Sequence, residues 1–289
     1  MNQPECAQNL LPPPASPWQR LQRHKAAMAG LYFLGALFLI CLFFPMMSSL
    51  SYADQNLWEA NAGPSAAHWF GTDSLGRDLF IRVLYGARIS LAIGVAASVI
   101  NLLIGVTYGG IAGFFGGRTD RIMMHLVDIL YGIPMLLYVI LLMVLLKPGL
   151  TNLFLALGIA YWLGMARIVR SQILTLKERE FVLAARSLGL SPWRILFRHL
   201  LPNCSGPILV TMTLAIPEAI FAEAFLSFIG LGVAAPMASW GVLASEGLTS
   251  VRSYPYQLLF PSLAISLTML AFNFLGDGLR DALDPHSKR

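Results

Sequence analysis

The sequence predicts an all-α integral membrane protein with six transmembrane helices. Composition is the first observation behind this. The 289 residues are 56% hydrophobic and only 12% charged, with a mean hydropathy of +0.65, far more apolar than a soluble domain. The second is length: apolar runs long enough to cross a bilayer recur at 26–53, 89–117, 129–146, 148–166, 199–217 and 253–276. So few charges do not suffice to cover six such surfaces in a soluble fold. The third is a polar interruption, EFVLAARSLGLSPWRILFRHLLPN at 180–203, set between the fourth and fifth runs.

At the start, residues 10–17 are proline-rich and read as a disordered tail. Ser16, Trp18, Arg20, Leu21, Arg23 and Lys25 follow as a short interfacial helix. The apolar stretch 29–47 runs about 19 residues, beyond the roughly 7–15 of a cleavable signal peptide. It reads as an uncleaved first span. The division expected is a tail at 1–28, a first transmembrane helix at 29–49 and an extracytoplasmic segment with an interfacial helix at 50–86. A five-helix core at 87–280 and a second tail at 281–289 complete it.

Basic residues set the orientation. With both termini cytoplasmic, 15 of the 20 Lys and Arg residues fall on inside segments and 5 on outside ones, as the positive-inside rule requires. The polar interruption then lies in the cytoplasm, within a loop at 178–205. The net charge of +5 reflects this insertion bias and anionic headgroups, and no nucleic-acid partner is implied.

On the outer side, Gly71-Thr-Asp and Gly76-Arg-Asp carry turn residues, with Asp73 or Ser74 as the cap of the helix that follows. Leu79, Val83, Leu84 and Ala87 form an apolar stripe, with Arg77, Asp78, Arg82 and Arg88 elsewhere. An interfacial helix leading into the second span results. That span, of 29 residues, would be about 43 Å long, against a hydrocarbon core of ~30 Å, so it tilts or projects into water. Glycines at 105, 109, 113 and 117 clear one face for close packing against another helix, and the pair Gly109-Gly110 permits a bend.

The interruption reads as two short helices. Phe181, Ala184, Ala185 and Leu188 share one face of the first. Gly189 suits the C′ stop, Ser191 the next N-cap and Pro192 the first helical position. Trp193, Leu196, Phe197 and Leu200 then make an apolar face, beside Arg194 and Arg198, and Pro202 ends the second helix. A surface of this kind suits either a soluble partner or the membrane interface itself.

The stretch LAARSLGLSPWRILFRHLLPN resembles the EAA loop of binding-protein-dependent ABC importer permeases. The matching positions are Ala184, Ala185, Gly189, Leu201 and Pro202, while Leu183 replaces the glutamate and His199 an isoleucine. FGTDSLGRDLFIRVLYGARISL, GGRTDRIMMHLVDILYGIP, EAFLSFIGLG and SWGVLASEG are similar to the C-type permease of the dipeptide/oligopeptide/nickel branch. The resemblance covers about residues 16–285.

It implies a type I ABC importer-like fold in a bacterial inner membrane, with a cytoplasmic coupling helix seated in an ATPase groove. Phe181, Ala184, Ala185, Arg186, Leu188 and Gly189 are the candidate coupling residues. The implied partners are a second, homologous permease, two ABC ATPases, an extracytoplasmic substrate-binding protein and membrane lipids. ATP and Mg belong to the ATPases, since no Walker or dinucleotide fingerprint occurs in this chain. The chain is expected to be non-catalytic, with no cofactor of its own. The cargo implied is di- or oligopeptides, with nickel chelates or glutathione-like peptides as alternatives.

Intramembrane ionisable groups are functional candidates, because lipid exposure costs each about 2–3 kcal/mol or more. Glu218 and Glu223 follow Ile216-Pro217 in the fifth span. Two readings stand: they line the translocation path, attracting a peptide's amino terminus, or they form a buried hydrogen-bonded structural pair. Asp128 is expected to pair with Arg118, Arg121 or the loop. Beyond the fifth span, residues 227–250 read as a re-entrant or interfacial element, with Trp240, Tyr254 and Tyr256 at the headgroup belt. Cys6, Cys41 and Cys204 have neither disulfide nor metal spacing. A gradient-driven secondary transporter is the rival class, but it calls for an internal repeat that the sequence does not display.

Overall fold

A computed structural model describes residues 16–48, 50–233 and 237–284, and every named element among them is a helix. The tail at 1–15, Cys6, the basic Lys288 and Arg289, and Ala235 and Pro236 of the outer segment lie outside the described residues. Five helices are long and apolar enough to cross a membrane, and a bent pair makes a sixth span.

Helix α1 (Pro17–Arg23) starts at a capping box. Ser16 Oγ accepts from Gln19 N, and Gln19 Oε1 accepts from Ser16 N. Its Leu21 is buried against Ala27 and Ala282, so α1 lies at the foot of the last helix. Helix α2 (Lys25–Met47) is capped by His24, whose Nδ1 accepts from Ala27 N at 3.1 Å. Pro45 within it has no N–H to give the carbonyl of Cys41. Arg88 fills that vacancy, donating from Nε to Cys41 O at 2.5 Å and from its amino group to Leu42 O at 2.7 Å.

The interfacial helix and the second span are one continuous element, α3 (Leu79–Phe115), 37 residues and about 55 Å long. Its cap is Asp78, whose Oδ1 accepts from Ile81 N at 2.9 Å, rather than Asp73 or Ser74. Three of the four glycines pack as expected on α6 (Leu150–Leu176). A Cβ at Gly105 would lie 2.5 Å from Met165 Cβ, at Gly109 2.2 Å from Ala166 O, and at Gly113 2.9 Å from Arg170 O. Gly117 is the exception. It opens α4 (Gly117–Tyr131) at φ +57°, with open space around it.

The third run is broken rather than straight. Helix α4 meets α5 (Met135–Leu146) at 82°, across Gly132-Ile133-Pro134. Pro134 denies the backbone a continuing hydrogen bond there and disfavours helical geometry at the residue before it. Asp128 pairs with Arg167 of α6 at 2.6 Å, not with Arg118, Arg121 or the loop, and Asp120 pairs with Arg170 through the latter's amino group at 2.6 Å. Both bonds staple α4 to α6.

After the loop, α10 (Ser205–Phe228) runs further than the fifth apolar run, α11 (Trp240–Ser250) folds back, and α12 (Tyr256–Leu283) closes the bundle. Gly241 allows α11 to approach Ala224 of α10 (2.5 Å from a Cβ), and Gly247 allows it to approach Gln257 of α12 (2.6 Å). Trp240 is fully buried, its Nε1 donating to Val83 O at 3.0 Å, so it is a core residue and not part of a headgroup belt. Tyr256 likewise turns inward, donating to Ala62 O at 2.9 Å.

Candidate functional site

The 178–205 loop folds as α7 (Glu180–Ser187), a turn, α8 (Pro192–Ile195), one π turn at Leu196–Leu200 and α9 (Leu201–Asn203). Gly189 takes φ +72° and lies in open space, so the position needs glycine for its backbone and not for room. Leu190 N and Gly189 N close the end of α7 on Ala185 O and Arg186 O. Ser191 and Pro192 open α8 as the sequence predicts. Pro202 does not end the segment. The π turn absorbs it, with Leu201 N bonding to Leu196 O, and the chain continues through Cys204 into α10.

The face of α7 differs from the one the spacing predicts. Phe181, Ala184 and Leu188 are exposed, Leu188 by 81%, whereas Ala185 is only 4% exposed. Ala185 and Val182 pack inward on Ile173, Ile195 and Leu196. Arg186 is exposed, its guanidinium 5.8 Å from the Phe114 ring, and Gly189 sits beside Leu188 at the tip. In α8 and the π turn, Trp193 and Phe197 are exposed while Leu196 and Leu200 are buried. The first face is thus offered outward, and the second is divided between solvent and core.

The two intramembrane glutamates are separated. Glu223 is fully enclosed, its carboxylate accepting from Ser90 Oγ at 2.9 Å and Ser227 Oγ at 2.6 Å. Glu218 is exposed and opens onto two clefts of about 280 and 290 Å³ that share Tyr131, Tyr161 and Gly164. Pro217 and Ala219 on either side are buried. The first cleft also meets Tyr138, and the second runs along α10 to Asn101, Thr211 and Arg280. None of these neighbours is marked by the reading of the span for charges. Asn101, the one amide within the 89–117 run, carried a signal as an intramembrane polar group.

At the end of the bundle remote from α7, a buried charge cluster joins segments far apart in sequence. Asp73 accepts from Arg77 Nε at 2.6 Å and from Arg82 at 2.5 Å, and Arg82 reaches Glu246 of α11 at 2.6 Å. Arg82 is 1% exposed, although the sequence places it away from the apolar stripe. His68 bridges Asp78 at 2.7 Å and Glu59 at 3.5 Å.

Residues 105–289 match the family described as binding-protein-dependent transport system inner membrane component, and residues 16–64 match the N-terminal TM domain of oligopeptide transport permease C. The chain belongs to that transport family. Among its relatives, the dipeptide transport system permease protein DppC of Bacillus subtilis is 56% identical over 273 residues, 94% of this chain and 85% of that protein. The oligopeptide transport system permease protein OppC of the same organism is 55% identical over 270 residues, covering 93% and 88%. The glutathione transport system permease protein GsiD of Pectobacterium atrosepticum is 43% identical over 275 residues, covering 94% and 90%. Among solved structures, an inward-facing MetNI methionine ABC transporter aligns with a TM-score of 0.59 at 16% identity, over 71% of this chain and 98% of that one. This likeness establishes a shared fold. The protein is a multi-pass membrane permease of the ABC importer type, and the EAA-like loop is its α7–α9 segment.

Proposed function

We propose that this permease carries di- and oligopeptides inward across the bacterial inner membrane. It does so paired with a second homologous permease, two cytoplasmic ABC ATPases and an extracytoplasmic binding protein. The observation that carries the cargo is the 56% and 55% identity to dipeptide and oligopeptide permeases over nearly the whole chain. Both termini and the 178–205 loop lie in the cytoplasm, in keeping with the 15 to 5 distribution of basic residues. The 50–86 segment then faces outward. ATP and Mg are handled by the ATPases, and this chain is non-catalytic.

The coupling residues act from one small patch. Phe181, Ala184, Arg186 and Leu188 meet the ATPase, Ala185 keys α7 to the body of the permease, and Gly189 holds the turn. Because Val182 and Ala185 pack on Ile173 of α6 and on Ile195 and Leu196 ahead of α10, a push on α7 is delivered to both helices. Those are the helices that carry Tyr161 and Glu218 on the cleft. Packed interiors transmit such displacements with little give, so closure of the ATPases reshapes the path.

A pull-down of detergent-solubilised wild type against Gly189→Arg, read by mass spectrometry, tests the assembly. Both ATPases, a second permease and a binding protein should come down with wild type, and the ATPases should be lost with the variant. Uptake of labelled dialanine that persists after removal of the ATPases would point to a gradient-driven carrier instead. A glutathione-like peptide is the second cargo reading, favoured by the 43% identity to the glutathione permease.

A further inference from the structure

Three of the uncharged donor groups on the clefts beside Glu218 are already used. Tyr161 Oη donates to Glu218 O at 2.8 Å and Tyr138 Oη to Ala160 O at 3.2 Å, while Thr211 Oγ1 donates to Pro207 O at 2.8 Å. The walls still offer aromatic rings and unbonded polar groups, the Tyr131 hydroxyl among them. Asn101 is 2% exposed and lines the second cleft with its Oδ1 unpartnered. The Glu218 carboxylate has no hydrogen-bond or ion-pair partner among the described residues. An exposed, unpaired carboxylate deep in a span calls for a ligand that brings N–H groups and positive charge. Tyrosine rings complement such a ligand.

The second cleft carries one charge of each sign on a lining of mostly apolar residues. Arg280 is the one cation on the second cleft and lies beside Thr211, seven residues before Glu218 on α10. Seven residues of helix span roughly 10 Å, which is about the length of three extended residues.

We propose that Glu218 forms an ammonium-binding subsite that receives the free amino terminus of a peptide in transit, with the peptide's carboxylate directed toward Arg280. This rests on the peptide-importer reading above. A rival occupant is a basic side chain of the second permease, which would make Glu218 an interface countercharge.

The assembled importer, without its binding protein, is studied by saturation-transfer NMR with dialanine and with N-acetyl-dialanine as probes. Dialanine should give transfer centred on its amino-terminal methyl group, and N-acetyl-dialanine should give none. Glu218→Gln should reduce the dialanine signal about tenfold, as loss of one charge-assisted hydrogen bond does. Equal signals from the two probes, no dialanine signal on wild type, or an unchanged signal in Glu218→Gln would overturn the subsite. So would dissociation of the second permease from Glu218→Gln on size exclusion, which would assign the carboxylate to the interface. Uptake of dialanine by the wild-type complex with its binding protein is measured in parallel. Intact uptake with a failed subsite would sink this inference and leave the importer reading standing.

Discussion

Glu223 accepts a hydrogen bond from Ser90 at 2.9 Å, tying the last third of α10 to α3 at a point no solvent reaches. Its second oxygen takes Ser227 at 2.6 Å, Ser239 reaches Ser227 at 3.3 Å, and Trp240 N reaches Ser90 at 3.3 Å. One carboxylate therefore organises α3, α10 and the start of the fold-back α11. The network explains how an acidic side chain sits inside a span: two serine hydroxyls donate to it and a third backs one of them.

Glu223→Gln should preserve the fold and peptide uptake, because the amide oxygen still accepts from one serine. Glu223→Leu should lower stability by about 1–3 kcal/mol, the cost of leaving buried donors without partners. Thermal unfolding in detergent compares the two variants with wild type. Loss of uptake in Glu223→Gln at unchanged melting temperature would mean that the charge itself serves transport.

The buried clasp at Arg82 makes an ordered prediction. Removing Arg82 leaves buried Asp73 with Arg77 as its one arginine and should cost about 1–3 kcal/mol. Glu246 is 43% exposed on its side chain, so Glu246→Ala should cost under about 1 kcal/mol. Melting curves of Arg82→Met and Glu246→Ala test the order. Equal losses would show that the half-exposed arm matters as much as the enclosed one.

Local chemistry was legible in the sequence, and long-range pairing was not. Gly189, Ser191 and Pro192 could be assigned because a left-handed stop and a proline start depend on a few neighbouring residues. Gly105, Gly109 and Gly113 could be read as one packing face because they share a helix. The break at Gly132-Ile133-Pro134 carried its signal too, but apolar composition alone passes over it. Arg167 as the partner of Asp128 lies 39 residues away, and no periodicity within either helix encodes that meeting. Trp240 reads as a headgroup anchor from composition and is instead enclosed, because the fold-back of α11 is a tertiary event. In α7, Ala184 and Ala185 are equivalent by spacing. Only the body of the permease behind the helix decides that Ala185 faces inward.

The α3–α6 seam predicts a contrast between glycines. A Cβ at Gly109 would stand 2.2 Å from Ala166 O, while at Gly35 it would meet nothing within 4 Å. Gly109→Ala should force the helices apart and destabilise the protein by about 1–3 kcal/mol, as overpacking does. Gly35→Ala should be neutral or slightly stabilising, since Ala is the better helix former by about 1 kcal/mol. Yield of monodisperse protein on size exclusion, with its melting temperature, reads both. A tolerated Gly109→Ala would mean that α3 and α6 have room to slide.

Leu188 and Gly189 separate contact from conformation at the coupling tip. Leu188 is 81% exposed, so Leu188→Ser removes apolar surface without touching the permease interior. Its melting temperature should stay at the wild-type value. Affinity for the ATPases should fall about tenfold, because a fully buried Leu at an interface is worth about 1.5–3 kcal/mol. Gly189→Ala adds one methyl group at the tip and meets nothing of the permease within 4 Å. It places a Cβ at φ +72°, which costs about 1–2 kcal/mol, and the strain acts on the turn that aims Leu188. Both variants should therefore lower peptide-stimulated ATP hydrolysis, Leu188→Ser through binding and Gly189→Ala through the angle of α7. Titration with purified ATPase distinguishes them. Excess ATPase should restore the rate in Leu188→Ser and should leave a residual deficit in Gly189→Ala. Full rescue of both would reduce Gly189 to a spacer, and rescue of neither would place the coupling contact elsewhere on the loop.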